Sequence, residues 1–293
     1  MSAEQIDTVR RFNRLVTLRA GALDDHFLGR GRPLGASRVL FEIGTAGAEL
    51  RALRRRLGLD AGYVSRLIAT LEREGLVTVG AAADRRVRMA RLTPAGRREV
   101  REMNRRSDRA AAELLQALPA PQRDRLVAAM TEAHGLLRLA GLRVERVSPE
   151  SPHARRCVAR YFAELERRFE AGFDPGASLP AADREMVPPR GAFLVGTIDG
   201  DPVACGAVKS IAPGVGSLKR MWVSDEVRGL GIGRRMLEAL EAEALGLGLG
   251  TVRLETNRAL AEAISLYRSA GYREVSRFND DPYANHWFEK QLS

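Results

Sequence analysis

After an apolar run at Ser217–Val223 the chain reads SDEVRGLGIG, with glycines at positions 229, 231 and 233, and then opens an amphipathic helical pattern. Few folds accept that order. Glycines at alternate positions let the main chain curl tightly and pass close to a ligand. The first N–H groups of the following helix have no partner within it, and they lie at the positive end of its dipole. A turn built this way holds an anion, and the expected anion is a pyrophosphate. The spacing excludes two other phosphate binders. No Gly-Lys-Ser/Thr completes a P-loop, and no early strand–GxGxxG–strand unit announces a dinucleotide fold.

The surroundings of this turn alternate between strand and helix. Extended runs are read at Ala192–Ile198, Val203–Lys209, Ser217–Val223 and Thr251–Thr256. Helices are read at about His153–Gly172, at Gly233–Leu245 and at Ala259–Gly271. The alternation is that of an α/β domain.

The first half has a different texture. Asp60 is a good N-cap, and the helix after it sets Val64, Leu67, Ile68 and Leu71 on one side and Ser65, Arg66, Ala69 and Arg73 on the other. The helix before it, with Leu50, Leu53 and Leu57, ends at Gly58. Two short helices joined so tightly form a helix-turn-helix, whose second member can enter a major groove. Two extended stretches follow, Leu76–Val79 and Val87–Thr93, joined through AAADRR into a hairpin wing. Thr93-Pro94 then opens a helix carrying Val100, Met103, Ala110, Leu114 and Leu118, and a last helix carries Leu126, Met130, Ala133 and Leu137. The opening helix carries Ile6, Val9, Phe12 and Val16 at helical spacing. Ser148-Pro149 and Ser151-Pro152 cannot continue a helix. The expected organisation is therefore a mainly helical winged domain at 1–143, a linker at 144–152, and an α/β domain at 153–293.

Charge separates the halves as well. Lys and Arg outnumber Asp and Glu by 28 to 17 up to Arg146, and are outnumbered 19 to 20 beyond it. A basic half beside a neutral half implies that the first meets a polyanion. No apolar run reaches the roughly 18 residues of a membrane helix, so no membrane partner is expected. The polar start, MSAEQIDTVRRFNRL, does not read as a signal peptide. Cys157 and Cys205 have no metal-type spacing. Two reduced thiols in a cytoplasm, and no metal, are expected.

The first half resembles the MarR family of winged-helix transcription regulators over roughly residues 5–142. The matching pieces are GYVSRLIATLEREGLV, the DRR at Asp84–Arg86 and the LTPAG at Leu92–Gly96. The resemblance implies a homodimer, built by the first helix and the last two, that reads a pseudo-palindrome in double-stranded DNA. The candidate DNA contacts are Ser65, Arg66 and Arg73 on the recognition helix and Arg85, Arg86 and Arg88 on the wing. One departure is the strand VTVGAAAD, where that family usually carries more basic residues.

The second half resembles the GNAT acetyltransferase superfamily over roughly residues 145–293, on RGLGIGR after an apolar strand and before an amphipathic helix. The resemblance implies a mixed, splayed central sheet with acetyl-CoA lying between the two strands that flank the long helix. The main chain of Met221, Trp222 and Val223 is expected to take the pantetheine and thioester. The turn of Arg228, Gly229, Leu230, Gly231, Ile232, Gly233 and Arg234 is expected to take the diphosphate. Asn257 corresponds to a cofactor contact, and Tyr267 to the residue that protonates the leaving thiolate. Many members carry Glu where this chain has Ser217, so Glu255 is the candidate general base. Met221 and Trp222 are read as packing residues whose backbone is the useful part, and His153 and His286 as surface or core residues. Asp281–Lys290 is expected to line the acceptor site. The expectation for the whole chain is a transcription regulator that is also an acetyl-CoA-dependent N-acetyltransferase of a small primary amine or amino acid. Two alternatives stand beside it. One is a repressor whose acetyltransferase fold is catalytically idle and senses acetyl-CoA or another metabolite. The other is an acetyltransferase whose first half only dimerises.

Overall fold

Two helices and a turn set the geometry of the first half. In the computed structural model, which describes residues 1–24, 26–81, 87–178 and 182–292, the chain divides into two compact units, Met1–Ala128 and Ala129–Ser293. The first unit contains α1 (Ala3–Arg19), α2 (Leu34–Ile43), β1 (Ala48–Glu49), α3 (Leu50–Leu57), α4 (Ala61–Arg73), β2 (Val77–Ala81), β3 (Arg88–Leu92) and α5 (Pro94–Gln116). Asp60 caps α4 by accepting from the Tyr63 N–H at 2.9 Å. Gly58 ends α3 in the left-handed region. The stripe expected on α4 is the one that is buried, against Val39, Leu40 and Ile43 of α2 and Leu53 of α3. β2 and β3 form the wing, paired from Val77↔Leu92 to Ala81↔Arg88. Just ahead of α3, Ala48 and Glu49 pair with Ala90 and Met89 on the other edge of β3. That third strand satisfies an edge which would otherwise be left open.

The LTPAG segment has a steric reason. Thr93 caps α5 by accepting from the Gly96 N–H at 3.0 Å, and its own hydroxyl donates to the Gly75 carbonyl at 2.7 Å. This draws the first turn of α5 against the Leu76 carbonyl, where a Cβ on residue 96 would collide with main-chain oxygen. α1 buries none of its residues within the chain, and Ile6, Val9, Phe12 and Val16 are exposed along it.

The second unit opens inside α6 (Ala120–Ala140). Gly135 lets the Leu230 side chain lie flat on this helix, and Arg235 donates to the Leu139 carbonyl at 3.0 Å. There follow β4 (Arg143–Arg146), α7 (Pro152–Arg168), β5 (Gly191–Ile198), β6 (Asp201–Ala212), β7 (Val215–Val223), α8 (Ile232–Gly246), β8 (Thr251–Thr256), α9 (Ala261–Ser269), β9 (Arg273–Glu274) and β10 (His286–Gln291). The segment expected as a linker is thus built into the domain. β4 pairs with β5 as the outer strand of the sheet, and Ser151 caps α7 with Pro152 in its first turn. Leu142 and Val144 alternate with exposed Arg143 and Glu145, the period of a half-buried strand.

The sheet runs β4-β5-β6-β7-β8-β10-β9, and its pairs are antiparallel except β7 with β8. Its strands feed two cores. From β5, Ala192, Leu194 and Ile198 join Met236, Leu237 and Leu240 of α8, while Phe193 and Val195 join Ala154 and Cys157 of α7. The sheet is therefore covered on both faces.

Gly96→Ala is expected to destabilise the first unit by roughly 2 kcal/mol, because main-chain oxygen cannot give way as a flexible side chain can. Chemical denaturation of wild type and variant, followed by circular dichroism, measures it. An unchanged midpoint would contradict the steric account.

Candidate active site and nucleic-acid interface

The parallel ladder between β7 and β8 stops early. Val215, Gly216 and Ser217 pair with Thr251, Val252 and Arg253, and no later pair exists although β7 continues to Val223 and β8 to Thr256. A bulge on the other side of β7 accompanies the divergence. Its register against β6 shifts between Cys205 and Ala207, and Arg220 sits in the left-handed region at φ 54°. Bulges bend the strand that carries them and increase its twist. The second half of β7 is thereby turned away from β8, and a cleft opens between the two strands.

The glycine turn lies at one end of this cleft. Gly229 and Gly231 have φ of 77° and 80°, and Gly231 caps α8 with no side-chain hydrogen bond. The start of α8 lies on a cavity of about 410 Å³ lined by Met221, Trp222, Val223, Arg228, Gly229, Gly231, Ile232, Gly233 and Arg234, among others. Leu230, grouped with them in the sequence reading, packs on Gly135 and does not line the cavity. Arg228 is turned inward. Its Nη2 lies 2.5 and 2.6 Å from the two carboxylate oxygens of Glu164, and its Nε donates to the Val223 carbonyl at 3.1 Å. Glu164 also accepts from the Trp222 indole at 2.8 Å and from Arg168 at 3.1 Å. Burial pushes the Glu164 carboxyl up, but the donors Arg228, Trp222 and Arg168 together outweigh it and hold it below the usual carboxylate range. Glu164 was missed in the sequence. The available signal was an acid on the stripe Ala154, Cys157, Tyr161, Leu165 of α7.

A second cavity, of about 150 Å³, is lined by Lys219, Arg220, Glu255, Asn257, Asp281 and Tyr283, among others. Tyr267, buried on α9, lines both cavities, as does Tyr161. Burial raises the Tyr267 phenol above its ordinary value, and the nearby Glu255 carboxylate raises it further. It is therefore protonated at neutral pH. Glu255 is ion-paired with Lys219 and accepts from Asn279 at 3.2 Å. Asn257 lies on the smaller cavity. Its side chain is engaged in the loop, donating to the Tyr283 carbonyl at 2.6 Å and accepting from the Ala259 N–H at 2.8 Å. Asp281, Tyr283 and Ala284 of the expected acceptor segment also line this cavity. His286 lies against Glu274, outside both.

On the first unit, Ser65, Arg66 and Arg73 are exposed along α4. The Arg66 guanidinium lies 5.8 Å from the Tyr63 ring centre, and Arg73 donates to Thr70. Arg88 is exposed at the start of β3, whereas Arg85 and Arg86 lie outside the described residues. Arg54 and Arg55, exposed in the last turn of α3, extend the basic surface and were not singled out in the sequence.

Glu164→Gln is expected to destabilise the second unit on the order of 2 kcal/mol at pH 7, since it leaves two guanidinium groups without their shared carboxylate. The Glu164 value is lowered on folding, so its contribution is fully present above the ordinary value of about 4.3 and fades as pH falls through the folded one. Melting temperatures of wild type and variant should therefore converge toward pH 3. A gap that widens on acidification would contradict the assigned charge state.

Known proteins agree with this division. The sequence model of the Acetyltransferase (GNAT) family matches residues 158–272, and that of the MarR family matches residues 30–87. A protein of Azospirillum brasilense named IAA acetyltransferase is 36% identical over 139 residues, which are 47% of this chain and 88% of that protein. Among solved structures, an acetyltransferase of GNAT family from Staphylococcus aureus Mu50 aligns with 52% of this chain and 99% of its own, at 16% identity and a TM-score of 0.46. A MarR-family transcriptional regulator from Rhodococcus sp. RHA1 aligns with 47% of this chain and 97% of its own, at 23% identity and a TM-score of 0.38. The chain is a member of the GNAT acetyltransferase family, and ahead of the transferase fold it carries a region, residues 30–87, that matches the MarR family model.

Proposed function

We propose that the second unit transfers an acetyl group from acetyl-CoA to a small primary amine, and that the first unit, as a homodimer, binds a pseudo-palindromic DNA site in the cytoplasm. The observation that carries the enzymatic reading is the position of Tyr267, a protonated phenol on the walls of both cavities.

The residues fit a coenzyme A thioester. Gly229 has open space around its Cβ position, and the bare start of α8 offers main-chain donors for the diphosphate. The half of β7 that β8 leaves unpaired, Met221–Val223, offers main chain to the pantetheine. Bound acetyl-CoA supplies the acyl carbon that the amine attacks and the sulfur that departs. Main-chain N–H groups near Val223 stabilise the oxygen on which charge develops. Glu255, beside Lys219, takes a proton from the acceptor ammonium, and Tyr267 gives a proton to the departing sulfur. The ammonium thus loses two protons in all, one replacing that of Tyr267 and one passing to solvent through Glu255. Arg228 acts on the cofactor site by holding Val223 and Glu164, rather than by presenting its guanidinium to the diphosphate.

A repressor whose acetyltransferase fold only senses acetyl-CoA would use the same cleft without turnover. Turnover separates the two readings. Tyr267→Phe is expected to lower kcat roughly 100-fold with the KM for acetyl-CoA unchanged. Acetyl-CoA that binds in a calorimeter, with no thiol released against any amine, would favour the sensor.

For the first unit, Arg66→Ala is expected to weaken DNA binding at every salt concentration and to reduce the slope of log Kd against log salt by about one. Fluorescence anisotropy on promoter DNA measures this. An unchanged affinity in Arg66→Ala and Arg73→Ala would support a first unit that only dimerises.

A further inference from the structure

The smaller cavity has a wall of rings. Phe173 lies 4.9 Å from Tyr283 and 5.8 Å from Phe169, centre to centre, and Phe162 lies 5.6 Å from Phe173. These rings come from α7 with the loop directly after it and from the segment before β10, two regions far apart in sequence. A space of about 150 Å³ with such walls is the size that takes one benzene-like ring.

Among the other lining residues are four charged side chains, two of each sign. Lys219 and Arg220 come from β7, Glu255 from β8, and Asp281 from the segment before β10. Glu255 pairs with Lys219, and Asp281 accepts from Ser178 at 2.9 Å and from the Tyr283 N–H at 2.9 Å. Two cations facing two carboxylates leave no excess of negative charge for a polyamine. They suit a molecule that carries one charge of each sign.

Arg220 owes its place to the bulge. At φ 54° in the left-handed region it departs from the regular alternation of β7, and its guanidinium lies 5.9 Å from the Phe162 ring centre. Asp183 approaches it at 3.3 Å. A guanidinium carries five N–H donors in a fixed fork and serves a second carboxylate readily. Glu255 is near enough to Tyr267 to act on its phenol, and Tyr267 lines both cavities, so an amine beside Glu255 is also beside their junction.

We infer that the acceptor is an aromatic α-amino acid. Its ring lies among Phe169, Phe173 and Tyr283, its carboxylate on Arg220 and its amine beside Glu255. This rests on the acetyl-transfer reading above and specifies its substrate. In the reaction the amine nitrogen bonds to the acyl carbon as the carbon–sulfur bond breaks, and the proton balance is the one already given.

The test measures thiol release by the full chain with acetyl-CoA and four amines. L-phenylalanine carries ring and carboxylate, phenethylamine the ring alone, L-alanine the carboxylate alone, and spermidine neither. The expected kcat/KM for L-phenylalanine exceeds each of the others at least tenfold. In Arg220→Gln the preference for L-phenylalanine over phenethylamine should fall to about one. In Phe173→Ala the preference over L-alanine should shrink, with acetyl-CoA binding by calorimetry unchanged in both variants. A best substrate lacking either ring or carboxylate overturns the inference and leaves acetyl transfer standing. Absence of thiol release with all four amines overturns the inference, and absence of calorimetric acetyl-CoA binding as well overturns the acetyl-transfer reading beneath it.

Discussion

A ladder that ends after three residue pairs is the constraint on which the second unit is built. Beyond Ser217 and Arg253 the two central strands stop exchanging hydrogen bonds, at a point where a sheet would ordinarily continue. Main chain left open in this way must find partners. Here the openness has two supports. The bulge at Arg220 bends β7 away, and the carboxylate of Glu164 gathers Arg228, Arg168 and Trp222 on the α7 side. Arg228 is the first residue of the glycine turn, so this cluster ties the cleft and the turn into one construction. Buried charge is costly alone, and its cost is offset here because three donors converge on one acid.

On the acetyl-transfer reading, the two cavities that meet at Tyr267 divide the labour of the reaction. The larger is lined by the glycine turn and the start of α8, which suits a ligand recognised through its diphosphate. The smaller is walled by rings and paired charges contributed by α7, β7, β8 and the segment before β10. Side chains so dispersed in sequence can vary without disturbing the turn, and function on a shared fold is set at such positions. The first unit follows the same logic with a different solution. Its apolar stripes lock α2, α3 and α4 together, and the opposite side of α4 is left to polar and basic side chains.

Much of this was legible in the sequence where the signal was local. The stripe Val64, Leu67, Ile68, Leu71 is buried as its spacing required, and the glycine turn lies between strand and helix where its residues placed it. What escaped depended on distant partners. Glu164 reads as one more acid in an arginine-rich helix until Arg228, 64 residues away, folds onto it. Asn257 matched a cofactor contact by position, but its amide is drawn into a local turn with Ala259 and onto the Tyr283 carbonyl. Strand β4 is four residues long and carries three charges, so the neighbouring prolines hid its alternation. The apolar side chains of α1 stay exposed among the described residues, and single-chain periodicity says only that they form a stripe.

The central claim is that the main chain of the turn and of the splayed half of β7 grips coenzyme A. Hydrogen–deuterium exchange of the full chain, with and without acetyl-CoA, tests it most directly. The account predicts slowed exchange at the amides of residues 229–234 and 221–223, with the amides of α4 unaffected. Slowed exchange elsewhere in the second unit, with these two segments unchanged, would contradict it.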